Sequence, residues 1–77
     1  MKIVWQETTS GWRANAPGGM LLMVNRARRG GGYVWAMHAV LADDDAAGTA
    51  LTDVSGKYIA EKTYRAWCAN WMNRKLP

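Results

Sequence analysis

The chain has 77 residues, a single cysteine and a formal net charge of +4. This length gives room for one hydrophobic core, so residues 1–77 are expected to form a single domain. Cys68 has no partner for an internal disulfide, which argues against a secreted, cross-linked protein. The N-terminus has no apolar signal core, and no apolar run is long enough to cross a bilayer. We therefore expect a cytoplasmic protein that has no membrane partner.

Four β-strands are predicted in the first half of the chain, at about residues 2–8, 11–16, 20–27 and 32–41. Alternating apolar and polar residues define the first two, and β-branched, aromatic and long apolar side chains fill the last two. Short turns rich in glycine separate them, so an antiparallel meander is the simplest topology.

The acidic stretch after the fourth strand, residues 42–48, is predicted to be a polar loop. Residues 49–51 could add a few residues of a fifth strand at the sheet edge. From about residue 53 to residue 74 the apolar period changes to that of a helix. One stripe of this helix carries Ala60, Tyr64, Trp67, Cys68 and Trp71. The predicted fold class is α+β, a four- or five-stranded antiparallel meander with one C-terminal helix packed on one face.

The fourth strand is apolar on both of its faces. One face carries Tyr33, Trp35, Met37, Ala39 and Leu41, and the other carries Val34, Ala36, His38 and Val40. A single helix can cover only one face of a sheet, and we expect it to cover the face with Trp35 and Met37. The second face is then a contact surface for a protein partner or a second copy of the chain. The alternative is a sheet that curves into a small barrel and hides both faces.

No residue pattern indicates catalysis, and no cofactor, metal or small-molecule substrate is expected. His38 is the only histidine, and Cys68 falls on the apolar stripe of the helix. Residues 43–45 are three consecutive aspartates, which lack the alternating spacing of a calcium loop and are expected to form a solvated turn. The glycine-rich segments match neither the dinucleotide nor the phosphate-loop pattern.

A basic tip precedes the fourth strand. Arg26, Arg28 and Arg29 stand before Gly30–Gly32, and Tyr33 follows. Arginine prongs on a hairpin suit a phosphate backbone or the carboxylates of a protein surface, and they also suit a solvated loop that protects a sheet edge. The candidate partner-binding residues are Arg13, Arg26, Arg28, Arg29, Tyr33, Val34, Ala36, His38 and Val40.

Trp5, the pair Gly11-Trp12 and Trp35, followed by a helix with Ala60 and Trp67, resemble small proteins encoded in phages and prophages. Those proteins combine a strand meander with one helix, and some inhibit host defence systems, including anti-CRISPR proteins. The resemblance implies a stoichiometric inhibitor or adaptor that occupies a surface of a host effector complex. The positive net charge departs from the many such inhibitors that are acidic DNA mimics.

The sequence therefore predicts a non-catalytic module that binds a host or effector-complex protein, with homodimerisation through the second sheet face as a further option. The alternative is a basic module that binds nucleic acid through the arginine–glycine hairpin.

Overall fold

The computed structural model of the protein describes residues 2–39 and 44–75, and it describes the side chains of residues 2–39 and 45–70. The chain forms five strands and one helix: β1 (Gln6–Glu7), β2 (Gly11–Ala16), β3 (Met20–Arg26), β4 (Tyr33–Ala39), β5 (Asp44–Ala50) and α1 (Asp53–Lys75). The strands form one antiparallel sheet in the order β1-β2-β3-β4-β5. The predicted α+β meander with a C-terminal helix is confirmed.

The first strand is shorter than the predicted segment 2–8, because the chain before it turns to the core instead of the sheet. Only Gln6 and Glu7 pair with β2. Ile3 is buried in the core, and the Trp5 indole Nε1–H donates to Glu61 Oε2 on α1 at 2.9 Å. The N-terminal segment therefore joins one edge of the sheet to the helix.

The predicted loop over residues 42–48 is wrong from residue 44 onward, where β5 begins. All seven residues of β5 pair in continuous register with β4, from Asp44 opposite Ala39 to Ala50 opposite Tyr33. Gly48 packs directly under the Trp35 indole, since a Cβ there would lie 2.7 Å from the indole nitrogen. The small residues of β5 thus fit beside a large aromatic side chain. Residues 42 and 43 lie outside the described part of the chain.

The core lies between α1 and one face of the sheet. Every second residue of the central strands points into it, and these side chains are Ala14, Ala16, Met20, Leu22, Val24, Trp35, Met37 and Ala39. Ala60 and Tyr64 of the predicted helical stripe are buried against them. Trp5, Trp12, Trp67 and Cys68 pack around this core as partly buried side chains. The helix therefore covers the face carrying Trp35 and Met37, as predicted.

The start of the helix is fixed by a reciprocal cap and by a close contact with the sheet. The Ser55 N–H donates to Thr52 Oγ1 at 3.0 Å, and the Thr52 N–H donates to Ser55 Oγ at 3.1 Å. Gly56 is buried, and a Cβ at this position would lie 2.9 Å from Val24 Cγ1. The glycine that weakens the first turn in isolation thus lets the helix approach β3. Among the described residues, no helix has both the length and the apolarity needed to cross a membrane.

Tyr64 connects the helix to the turn between β2 and β3. Its hydroxyl donates to the Pro17 carbonyl oxygen in the β2–β3 turn at 2.8 Å, and the ring is almost completely buried. Burial, reinforced by a hydrogen bond to Cys68, raises the pKa of Tyr64 from 10.0 to about 12. Deprotonation of this phenol is therefore coupled to unfolding at alkaline pH.

We expect Tyr64→Phe to flatten the alkaline limb of the stability profile. The unfolded chain releases the phenolic proton near pH 10.0 and the folded chain near pH 12, so wild-type stability should fall across this window. Tyr64→Phe removes that dependence, and at neutral pH it costs about 1 kcal/mol because the Pro17 carbonyl loses its donor. Denaturant unfolding at several pH values measures both effects. The control Tyr58→Phe, at an exposed position, should follow the wild-type profile, and equal profiles for wild type and Tyr64→Phe would contradict the assignment.

Candidate interaction surface

The sheet face that α1 leaves uncovered, here called the open face, is formed by alternate residues of β2 to β5. The strand register places Leu21 opposite His38 and Met23 opposite Ala36. The open face carries Arg13, Asn15, Leu21, Met23, Asn25, Val34, Ala36, His38, Asp45, Ala47 and Thr49. None of these side chains belongs to the buried core under the helix.

Exposure distinguishes the open face from the covered face along a single strand. Val34 is 39% exposed, whereas its neighbour Trp35 is 9% exposed. Ala36 and His38 are half-buried. Self-closure into a barrel would bury these residues, and the structure instead has an open sheet with two edges. Val40, which was predicted to share this face, lies outside the described residues.

The open face has an apolar centre and a polar border. Leu21, Met23, Val34 and Ala36 occupy the two central strands. Arg13 and Asn15 border them on β2, and Asp45 and Thr49 border them on β5. His38 Nδ1 is in hydrogen-bond contact with the Asp45 carboxylate across the β4–β5 pair. Protein–protein interfaces have a similar arrangement, with an apolar centre and a polar rim.

Tyr33, the candidate contact residue that follows the arginine hairpin, lies on the covered side of the sheet and not on the open face. Successive residues of a strand point to opposite sides, so Tyr33 shares the helix side with Trp35. It packs against the edge of the core and also lines a cleft at the base of the arginine hairpin. Its environment is therefore that of the hairpin and not of the open face.

The arginine hairpin, residues 26–32, projects from one end of the sheet. The Ala27 N–H donates to the Gly32 carbonyl oxygen at 3.1 Å and closes the loop. Gly30, Gly31 and Gly32 have φ values of 78°, 71° and 75°, which side chains other than glycine rarely adopt. Arg26, Arg28 and Arg29 are exposed, and no ion pair joins them to another described residue.

A cleft of about 360 Å³ lies between this hairpin and the end of β5. It is lined by Ala27, Arg29, Gly30, Gly31, Gly32, Tyr33, Thr49, Ala50 and Leu51. Most of these residues are glycine or have small side chains, and Arg29 is the charged residue among them. The cleft therefore combines a positive charge with an accessible main chain.

The helix cations whose side chains are described contact other side chains of the protein. The Lys57 ammonium lies 3.2 Å from the centroid of the Trp12 ring, and the Arg65 guanidinium donates to Glu61 at 3.3 Å. Lys62 stands over the Tyr58 ring at 6.0 Å. These basic side chains thus lie near aromatic rings or pair with a carboxylate. The hairpin differs from the helix in this respect, because its three arginines are exposed and form no ion pair with another described residue.

A second apolar surface was missed at the sequence level. Leu51 is 90% exposed, and Val54 and Tyr58 on the first turns of α1 are also exposed. Val54 and Tyr58 are four residues apart and lie on one side of the helix, opposite the buried positions Gly56 and Ala60, and Leu51 lies just before the helix. The same helical wheel that identified the buried stripe could have shown this exposed one.

No group of three metal-binding side chains occurs in the part of the chain that is described. His38 contacts the single carboxylate of Asp45, and Cys68 is half-buried beside Tyr64. These arrangements satisfy the side chains within the fold. They bring together no nucleophile with a base and no pair of acidic groups.

No family model, curated protein or solved structure matches this chain. The resemblance to phage accessory proteins therefore depends on the spacing of tryptophan and glycine. The candidate contact residues are assigned from the geometry of the sheet and hairpin.

Because one sheet face is open and the other is covered, the same Val→Thr substitution should lower the free energy of unfolding by different amounts on the two faces. Val34→Thr should change the free energy of unfolding by less than about 0.5 kcal/mol, because the hydroxyl on the open face remains in water. Val24→Thr, at a position 0% exposed, should cost about 1–3 kcal/mol because the hydroxyl is buried without a partner. Chemical denaturation of both variants measures this contrast. Equal costs at the two positions would show that the open face is covered in solution.

Proposed function

We propose that the protein is a non-catalytic binding module that acts by stoichiometric contact with another protein through the open face. The observation that supports this function is the apolar centre of Leu21, Met23, Val34 and Ala36, which no described segment of the chain covers. Covering it with a partner would remove apolar surface from water at a gain of about 25 cal/mol per Å². The polar border supplies hydrogen-bonding groups that fix the orientation of a partner.

The chemistry of the border favours a partner surface with both apolar and charged groups. Arg13 on β2 offers a guanidinium to a carboxylate, and Asp45 on β5 offers a carboxylate that is already oriented by His38. The two residues lie on opposite sides of the apolar centre. The resemblance to phage-encoded inhibitors makes a bacterial host effector complex the first partner to test.

We expect Ala36→Glu to abolish capture of the partner, because it places an unpaired charge in the middle of the open face. The loss of affinity should be at least about tenfold. Affinity capture from a bacterial host lysate, followed by mass spectrometry and titration of the purified partner, measures it. Ala66→Glu is the matched control, since Ala66 is exposed on the helix and away from the sheet. Circular dichroism verifies that both variants are folded, and equal binding by both variants would rule out the open face as the binding site.

Nucleic-acid binding is a second candidate function, supported by the exposed Arg28 and Arg29 on a hairpin that has no internal ion pair among the described residues. Such prongs can follow a phosphate backbone, and the three glycines let the backbone come close to a ligand. This function needs the hairpin and not the open face. The two functions are therefore separable by mutation.

Salt dependence tests the nucleic-acid function. If three arginines contact phosphates, affinity should fall roughly 40-fold for a duplex and roughly 20-fold for a single strand between about 50 and 200 mM salt, because condensed counterions are released. Replacing both Arg28 and Arg29 with alanine should reduce the salt slope as well as the affinity. Gel-shift titration at the two salt concentrations measures this, with Arg13→Ala, on the open face, as a control of equal charge change per site. An unchanged slope in the double variant would exclude the hairpin.

A further inference from the structure

The two edges of the sheet are protected very differently. β1 at one edge has two paired residues, and short edge strands resist pairing with other chains. β5 at the other edge has seven residues in continuous register with β4, without proline, lysine or a bulge. No described strand lies beyond it. The outer side of β5 is therefore a full-length edge whose protecting charges, Asp44 and Asp45, are confined to its start.

The hydrogen-bond phase of the sheet shows which residues of β5 present their backbone at this edge. The Ala27 N–H donates to the Gly32 carbonyl, which makes these two residues a hydrogen-bonded pair. Alternation along β4 then directs the backbone groups of Tyr33 and every second residue after it toward β5. The residues of β5 that pair with them direct their own N–H and C=O groups back toward β4. Asp45, Ala47 and Thr49 consequently direct their N–H and C=O groups outward.

We propose that this edge pairs antiparallel with β5 of a second copy of the chain, about a two-fold axis at Ala47. In this register Ala47 faces Ala47 of the second copy, and Asp45 faces Thr49. Each of these pairs exchanges two backbone hydrogen bonds, and the interface is self-complementary as a two-fold axis requires. The pairing joins two five-stranded sheets into one and places their open faces on a common side.

Charge distribution along β5 makes the edge self-complementary in an antiparallel pair. The acidic residues lie at the start of the strand, and the cleft carrying Arg29 lies at its end. Antiparallel pairing puts the Asp45 end of each copy beside the Arg29 end of the other. A parallel arrangement would instead place like charges side by side.

The side chains of β5 leave room for this approach. Ala46, Gly48 and Ala50 face the helix side, and Ala47 and Thr49 face the open side. None of them is long enough to obstruct a strand at the ordinary spacing of about 4.8 Å. The dimer does not depend on the proposed partner of the open face, because it uses backbone groups in the plane of the sheet.

Ala47→Pro tests the pairing directly. Proline removes the outward N–H of residue 47 and leaves the ladder with β4 intact, since that N–H does not point toward β4. Light scattering coupled to size exclusion, over a range of concentrations, should give twice the chain mass of 8.6 kDa for wild type and the single mass for Ala47→Pro. The matched control Ala47→Val keeps the N–H and should remain dimeric. A monomeric wild type, or a dimeric Ala47→Pro, overturns the proposal.

Amide hydrogen exchange provides a test that needs no substitution. In the dimer the amides of Asp45, Ala47 and Thr49 should be protected, and dilution below the dissociation constant should remove this protection. Fast exchange of these amides in a dimeric sample would show that the copies meet elsewhere, and loss of the dimer in Ala36→Glu but not Ala47→Pro would assign it to the open face. Arg29→Glu should raise the dimer dissociation constant about fivefold at low salt. No change in Arg29→Glu would contradict the charge argument for the antiparallel register.

Discussion

The structure depends on one helix covering one face of a five-stranded sheet. Ala60 and Tyr64 of α1 are buried against the central strands, and Gly56 lets the helix approach Val24 closely. The helix has a single apolar stripe of sufficient breadth for this contact, so it can bury only one layer of side chains. The other sheet face has no covering element among the described residues. The candidate function follows from this limit on how much surface one helix can bury.

The core is small, and large aromatic side chains fill it by packing against very small residues. Trp35 lies over Gly48, and the other two sheet-side tryptophans, Trp5 and Trp12, extend the core beyond its buried centre. Each of these two contacts a polar residue of the helix. Trp5 donates a hydrogen bond to Glu61, and the Lys57 ammonium lies over the Trp12 ring. Charged side chains thus extend the apolar core at its margin.

The open face and the β5 edge are incomplete in different physical ways. The open face exposes apolar side chains such as Val34, and contact with another surface would be driven by removing them from water. The β5 edge exposes backbone groups, and its preferred partner is another strand. The two surfaces lie at right angles to each other. A dimer joined along β5 would present two open faces together, which would increase the area available to one large partner.

The sequence by itself determined the α+β class, the meander and the covered helix stripe, because hydrophobic period and turn residues are local properties of the chain. It also separated Val34, Ala36 and His38 from Trp35, because side-chain direction alternates along a strand. It predicted at most a short fifth strand over residues 49–51 and missed the start of β5 at Asp44, because the aspartates, alanines and glycine there have low strand propensity. Only the tertiary structure decided that segment, since an unpaired edge of β4 and the broad Trp35 ring select a strand of small residues. Only the tertiary structure could also show that the hairpin arginines form no ion pair with another described residue, because this depends on which carboxylates the fold brings near them.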